Sequence, residues 1–162
     1  MKPKIVTIGV YGFDQERFFN ALLDAKVDTF CDIRRRRGMR GSTYAFVNST
    51  SLQKRLSELG IRYLHLKSLA PGQEIRDKQK QADEKLGIAK RTRTTLGSTF
   101  IRAYEQECLS AFSTVEFFEQ LGQDTRVISL FCVEREPEAC HRSLAAKRMA
   151  QDLDLQVEHI KP

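Results

Sequence analysis

Apolar and polar positions along this chain fall into blocks that switch between two periods. Five short apolar runs read as strands: residues 5–9 (IVTIG), 27–33 (VDTFCDI), 61–66 (IRYLHL), 127–133 (VISLFCV) and 155–160 (LQVEHI). Runs of this length, rich in β-branched residues and bounded by turn residues, suit buried strands. Between them the apolar residues recur at helical spacing. Phe18, Phe19, Leu22 and Leu23 form one helix face behind Asp14 as N-cap. Leu52, Leu56 and Leu59 mark a helix closed by Gly60, and Phe100, Ile101 and Tyr104 open another. Ser113 and Glu116 form a capping box for the next, with Val115, Phe118 and Leu121 as its expected core face. A last helix is expected to start near Pro137. Strands alternating with helices imply βαβ units and a largely parallel sheet. The expected fold is a three-layer, Rossmann-like α/β sandwich in a single domain over residues 1–162.

One stretch breaks the pattern. Apolar periodicity fails between residues 69 and 97, where Pro71, Gly72, Gly87 and Gly97 interrupt the chain. From residue 67 to 93, eight Lys/Arg stand against four Asp/Glu. The expectation is a mobile, basic insertion over about 67–97 that holds one short helix at most.

Composition narrows the class. A 41% hydrophobic and 30% charged share is that of a soluble globular protein. No apolar run approaches the roughly 20 residues of a membrane span. The N-terminus enters a strand with no charged-then-apolar leader, so a cytoplasmic protein without a membrane partner is expected. A net charge of +6 and a pI near 9.3 permit a nucleotide or nucleic acid as partner without demanding one. Cys31, Cys108, Cys132 and Cys140 include no CxxC pair and read as reduced thiols. No P-loop, GxGxxG, GxSxG or HExxH motif occurs, which argues against ATP hydrolysis, NAD chemistry, serine hydrolysis and zinc proteolysis by those routes. Nothing names a cofactor or an oligomeric state.

The chemistry-bearing residues gather at expected strand ends, where ligands bind in open α/β sheets. Residues 126–148 (RVISLFCVEREPEACHRSLAAKR) crowd Cys132, Glu134, Cys140, His141 and Arg142 around one strand-to-helix turn. Asp32 closes the second strand. Asp32 and Glu134 are candidate catalytic carboxylates for acid/base work; the plainer reading is an ion pair for each with a nearby arginine. Arg34 and Arg142 are candidate phosphate clamps, with His141, Gly9 and Tyr11 completing the pocket. Arg35, Arg36, Arg37 and Arg40 are candidate nucleic-acid contacts, or a solvated basic loop. Tyr44 and Phe46 would stack on bases or anchor that loop to the core. Cys140 reads as packing rather than as a nucleophile, since the run that starts at Cys140 is not the C-x5-R loop of cysteine phosphatases. A zinc site from Cys132, Cys140 and His141, with or without His159, is not expected, because adjacent Cys-His pairs share a tetrahedral metal poorly. His65 and His159 read as structural.

The ordered motifs Thr7-Ile8-Gly9, Asp32-Ile33-Arg34, Gly60-Ile61-Arg62-Tyr63-Leu64-His65, Cys132-Val133-Glu134 and Pro137-Glu138-Ala139-Cys140-His141-Arg142 carry a resemblance. The chain resembles the domain-of-unknown-function family 488, whose pattern is a TIGHS-like turn, a DVR segment, a GI-x-Y-x-H strand and a CxE…PE-x-CHR segment. The resemblance spans about residues 5–160 and implies a Rossmann-like α/β fold, but no established activity. Val10-Tyr11 stand where the family pattern has His-Ser, and Arg35-Arg36-Arg37-Gly38 where it often has proline. The best-supported expectation is a phosphate- or nucleotide-directed enzyme working by hydrolysis or transfer. A non-catalytic nucleic-acid-binding module is the alternative, and a protein-interaction domain the third.

Overall fold

The computed structural model describes residues 2–89 and 93–162. Its centre is a five-stranded, all-parallel sheet in the order β3-β2-β4-β1-β5. The strands are β1 (Lys4–Ile8), β2 (Thr29–Asp32), β3 (Arg62–His65), β4 (Val127–Phe131) and β5 (Val157–Ile160). Burial follows this order. β2 is buried throughout, and β1 and β4 everywhere but at their first residue, whereas the edge strands β3 and β5 carry exposed positions. Central parallel strands are covered on both faces and so read as continuous apolar runs.

Helices cover both faces and make the three-layer sandwich. α1 (Gln15–Asp24) and α2 (Ser49–Glu58) link β1 to β2 and β2 to β3. Phe18 of α1 packs edge-on against Phe30 and Phe131, on the face to which those two strands point them. Asp14 caps α1 by accepting from the Arg17 amide at 2.8 Å. The buried face is Phe18, Phe19 and Leu22; Leu23 is turned outward. α3 (Gln73–Lys85), α4 (Ser98–Tyr104) and α5 (Thr114–Leu121) lie between β3 and β4, with a π-helical turn at Glu105–Leu109 running on from α4. α6 (His141–Leu153) returns the chain from β4 to β5 and packs on β1, β4 and β5.

Three elements differ from their expected form. α5 buries Thr114, Phe117 and Leu121, and leaves Val115 half exposed. The Thr114 hydroxyl donates to Asp152 of α6 at 2.6 Å, which sets the rotation of the helix. Next, Pro137–Ala139 form only a 3-10 turn, and Cys140 is extended (φ −135°, ψ 146°), so α6 starts at His141. Finally, the 67–97 segment is built around the 13-residue α3, longer than the short helix expected. Its buried positions Ile75, Gln79 and Asp83 share one face, and two of them are polar. Residues 90–92 of that expected insertion lie outside the described residues. Among the described residues, no helix is long and apolar enough to cross a membrane.

Candidate functional site

The adjacent strands whose connections run apart are β2, which leads outward to β3, and β4, which leads the other way to β5. Open α/β sheets hold ligands in the crevice at such a point. On the other side of β4, the gap to β1 is closed by the chain itself. The Val10 and Tyr11 amides both donate to the Val133 carbonyl, at 3.0 and 3.1 Å. A Cβ on Gly9 would lie 1.8 Å from the Glu134 carbonyl oxygen, so only glycine allows the two backbones to meet. Arg142 seals the top. It is fully buried and donates to the Glu134 and Arg135 carbonyls at 2.6 and 3.2 Å. Gly9 and Arg142, expected to touch ligand, thus serve the close approach of β1 to the turn after β4.

A cavity of about 690 Å³ opens beside this lock, over the ends of β2 and β4. Its floor includes Arg34, Cys132, Glu134 and His141; Tyr11 and the arginines after β2 form one wall, and α3 with the segment returning from it forms another. The cavity thus brings Arg34, Glu134, His141, Tyr11, Arg35, Arg36 and Arg40 together. Asp32 lies beneath it.

At the end of β2, Asp32 is fully buried and saturated. Its Oδ1 accepts from the Arg34 amide and Nε at 3.1 and 2.9 Å, and its Oδ2 from Arg34 Nη2 and the Tyr63 hydroxyl at 2.8 and 2.7 Å. The Arg34 guanidinium also donates to the Val47 carbonyl at 2.9 Å and lies 4.7 Å from the centre of the Phe131 ring. Its remaining nitrogen, Nη1, is buried with no hydrogen-bond partner. Burial, and after it the opposing and reinforcing contacts of Arg37 and Asp32, leave the Tyr63 hydroxyl with a pKa raised to about 12. His65 Nε2 donates to the Arg34 carbonyl at 2.8 Å, and Arg37 reaches Tyr63 at 3.4 Å. Arg35, Arg36 and Arg40 are exposed.

The end of β4 is arranged otherwise. Glu134 Oε1 accepts from Arg93 at 2.9 Å, and its Oε2 accepts from the Cys132 thiol at 3.3 Å. Arg93 also bonds Asp83 of α3 at 2.8 Å and the Ala139 carbonyl at 3.2 and 2.9 Å. Arg93 therefore ties α3 and its return to the floor of the cavity. His141 Nε2 lies 2.8 Å from the Ile33 carbonyl, which can only accept, so the ring proton belongs on Nε2. Nδ1 then faces two sulfurs, Cys132 at 3.8 Å and Cys140 at 3.7 Å. Burial pushes the Cys132 thiol up to about 11, reinforced by the neighbouring Cys140. Burial disfavours the charged His141 ring, but the Cys132 thiol and the Ile33 carbonyl outweigh it, and its pKa is raised. His159, by contrast, sits at the sheet edge against the Thr7 hydroxyl at 2.7 Å.

A family model described as Domain of unknown function DUF488 matches residues 14–149. The chain belongs to that family. No curated protein and no solved structure matches it. The DUF488 match covers both strand ends, α3 and the start of α6; Gly9 and Tyr11 lie outside it. Arg93, Asp83 and Arg76 line the cavity, and sequence reading passed over them. Their only signal was membership of a basic, aperiodic stretch.

Proposed function

We propose that this DUF488 protein binds a phosphate-bearing small molecule of nucleotide size in the cavity over β2 and β4, and acts on it by hydrolysis or transfer. The observation that carries the reading is the Arg34 Nη1, which is buried in the cavity floor without a partner. A buried donor left unsatisfied costs about 1–3 kcal/mol, and a phosphate oxygen would relieve it. Arg76, on α3 across the cavity, likewise has a buried Nη1 with no partner. One guanidinium donor in the floor and one on the α3 wall thus lack a partner. The Asp32 carboxylate already balances the charge of Arg34, so attraction over distance comes from Arg35, Arg36, Arg40 and Lys80 around the same cavity. A volume near 690 Å³ suits a nucleotide-sized ligand.

In this reading Asp32 aims Arg34 and takes no proton, since every bond it accepts comes from Arg34 and Tyr63. Glu134 is the acid/base group, being at the floor of the cavity. Arg142 and Gly9 hold its backbone in place. Calorimetric titration with pyrophosphate and nucleotides tests this. Arg34→Lys keeps a cation beside Asp32 but removes Nη1, and saturable binding should weaken about tenfold, the worth of one charge-assisted bond. Absence of saturable binding to any phosphate compound, or binding that Arg34→Lys leaves intact, would overturn the reading.

The exposure of Arg35, Arg36 and Arg40 on the cavity rim favours a second reading, a non-catalytic nucleic-acid-binding module. That module would bind nucleic acid with a steep salt dependence, and Glu134→Gln would not change it.

A further inference from the structure

We propose that Cys132, Cys140 and His141 form a binding site for one zinc-like divalent metal ion, with a fourth coordination position turned toward the cavity. The two sulfurs and His141 Nδ1 all lie within 4.8 Å of one another. The sulfur-to-nitrogen separations are 3.8 and 3.7 Å. Zinc bonds of about 2.3 Å to sulfur and 2.0–2.1 Å to nitrogen, set at tetrahedral angles, place their donor atoms about 3.5–3.8 Å apart. The three side chains therefore stand close to coordinating separation, and small adjustments would close them on an ion.

Local backbone explains how neighbouring residues share one point. Cys140 is extended and His141 is the first residue of α6, so the two side chains turn back toward the same place. Cys132 reaches it from beyond the end of β4. The Nε2–H of His141 is held by the Ile33 carbonyl at 2.8 Å, which fixes the ring and leaves Nδ1 as the donor. Metal-bound histidines are oriented in this way by a backbone or carboxylate partner.

The donor set selects the ion. Two thiols and an imidazole suit zinc and similar soft or borderline cations, and not magnesium or calcium. On binding, the two thiols release their protons to solvent, and two thiolates with one dication are neutral together. That leaves no uncompensated charge at a place where all three residues are buried. Three protein ligands are also the number that leaves a zinc ion open to water or substrate. Cys132 and His141 line the cavity, and Glu134 beside Cys132 faces the same space. His159 stays outside the site on Thr7.

The site stands on its own geometry, and its test needs no phosphate ligand. Reduced full-length protein is stripped with chelator and titrated with cobalt(II). One cobalt per chain should bind, with the visible bands of tetrahedral cobalt and a thiolate-to-cobalt charge-transfer band, and stoichiometric zinc should bleach both. Cys132→Ser and Cys140→Ser should each weaken the charge-transfer band. Cys31→Ala/Cys108→Ala, which leaves the proposed ligands untouched, should keep the full band and so assign it to Cys132 and Cys140 even if a serine variant fails to fold. Folded wild type with no saturable cobalt band would overturn the site. So would a charge-transfer band lost in Cys31→Ala/Cys108→Ala while circular dichroism stays native, or ready closure of a Cys132–Cys140 disulfide under conditions where metal does not bind.

Discussion

The ends of β2 and β4 carry nearly the same residue types, an acid and an arginine beside a histidine, yet the fold uses them differently. At β2 the Asp32 carboxylate accepts four hydrogen bonds from Arg34 and Tyr63 and is fully buried under the cavity. At β4 Glu134 lines the cavity, and the Cys132 thiol shares it with Arg93, while His141 directs a ring nitrogen at two sulfurs. The first arrangement fixes an arginine. The second also pairs its carboxylate with an arginine, Arg93, but leaves that carboxylate on the cavity lining beside the Cys132 thiol. A strand-end carboxylate is thus a candidate for chemistry only when its hydrogen bonds leave it facing the ligand space.

Matched carboxylate-to-amide changes break this comparison most sharply. Asp32→Asn puts an NH2 group against donors whichever way the amide turns, because both oxygens accept only from Arg34 and Tyr63. It also leaves the Arg34 charge buried. The expected loss is about 3–5 kcal/mol, read as a fall in the urea midpoint. A stability within about 1 kcal/mol of wild type would show that β2 does not depend on this pair.

Gly9→Ala should rank next. The methyl would meet the Glu134 carbonyl at 1.8 Å, so β1 and the turn after β4 must part. Overpacking of this kind costs about 1–3 kcal/mol, and here it should also disturb the Cys132 and His141 resonances in an NMR spectrum. Unchanged spectra would refute the closed gap between β1 and β4.

Glu134→Gln should cost only about 1 kcal/mol, because the amide oxygen still accepts from Arg93, which keeps Asp83 and Ala139 as partners. Ligand affinity should be retained and turnover lost. Retained turnover in this variant would remove Glu134 as the acid/base group. The smallest effect on stability is expected from Arg35→Ala/Arg36→Ala/Arg40→Ala, all exposed positions. The unfolding midpoint should hold while nucleic-acid affinity falls and its salt dependence flattens.

The sequence carried the strands well because parallel central strands are continuous apolar runs, and all five expected runs became strands. It carried the final turn too, since Cys132, Glu134 and His141 share one short segment. α3 was hidden for a physical reason. Its inner face is Ile75, Gln79 and Asp83, and hydrogen bonds replace apolar contact there: Gln79 donates to Asp83 at 2.8 Å and accepts from the Gly97 amide at 2.9 Å. A search for apolar periodicity cannot see such a face. Arg93 was hidden likewise, being one of many basic residues until the fold pairs it with Asp83 and Glu134. The meeting of the Cys140 and His141 side chains was not legible in their spacing, because it depends on the extended Cys140 that precedes α6.

The most direct test of a ligand cavity at the β4 end, rather than at the crevice between β1 and β4, is an amide NMR titration of the full chain with pyrophosphate and a nucleotide. The account predicts saturable shifts at Arg34–Met39 neighbours, at Cys132, Glu134 and His141, and on the inner face of α3 around Arg76 and Gln79. Saturable shifts confined to Gly9, Val10 and the Arg142 turn, or unsaturable shifts spread over the exposed basic surface alone, would contradict it.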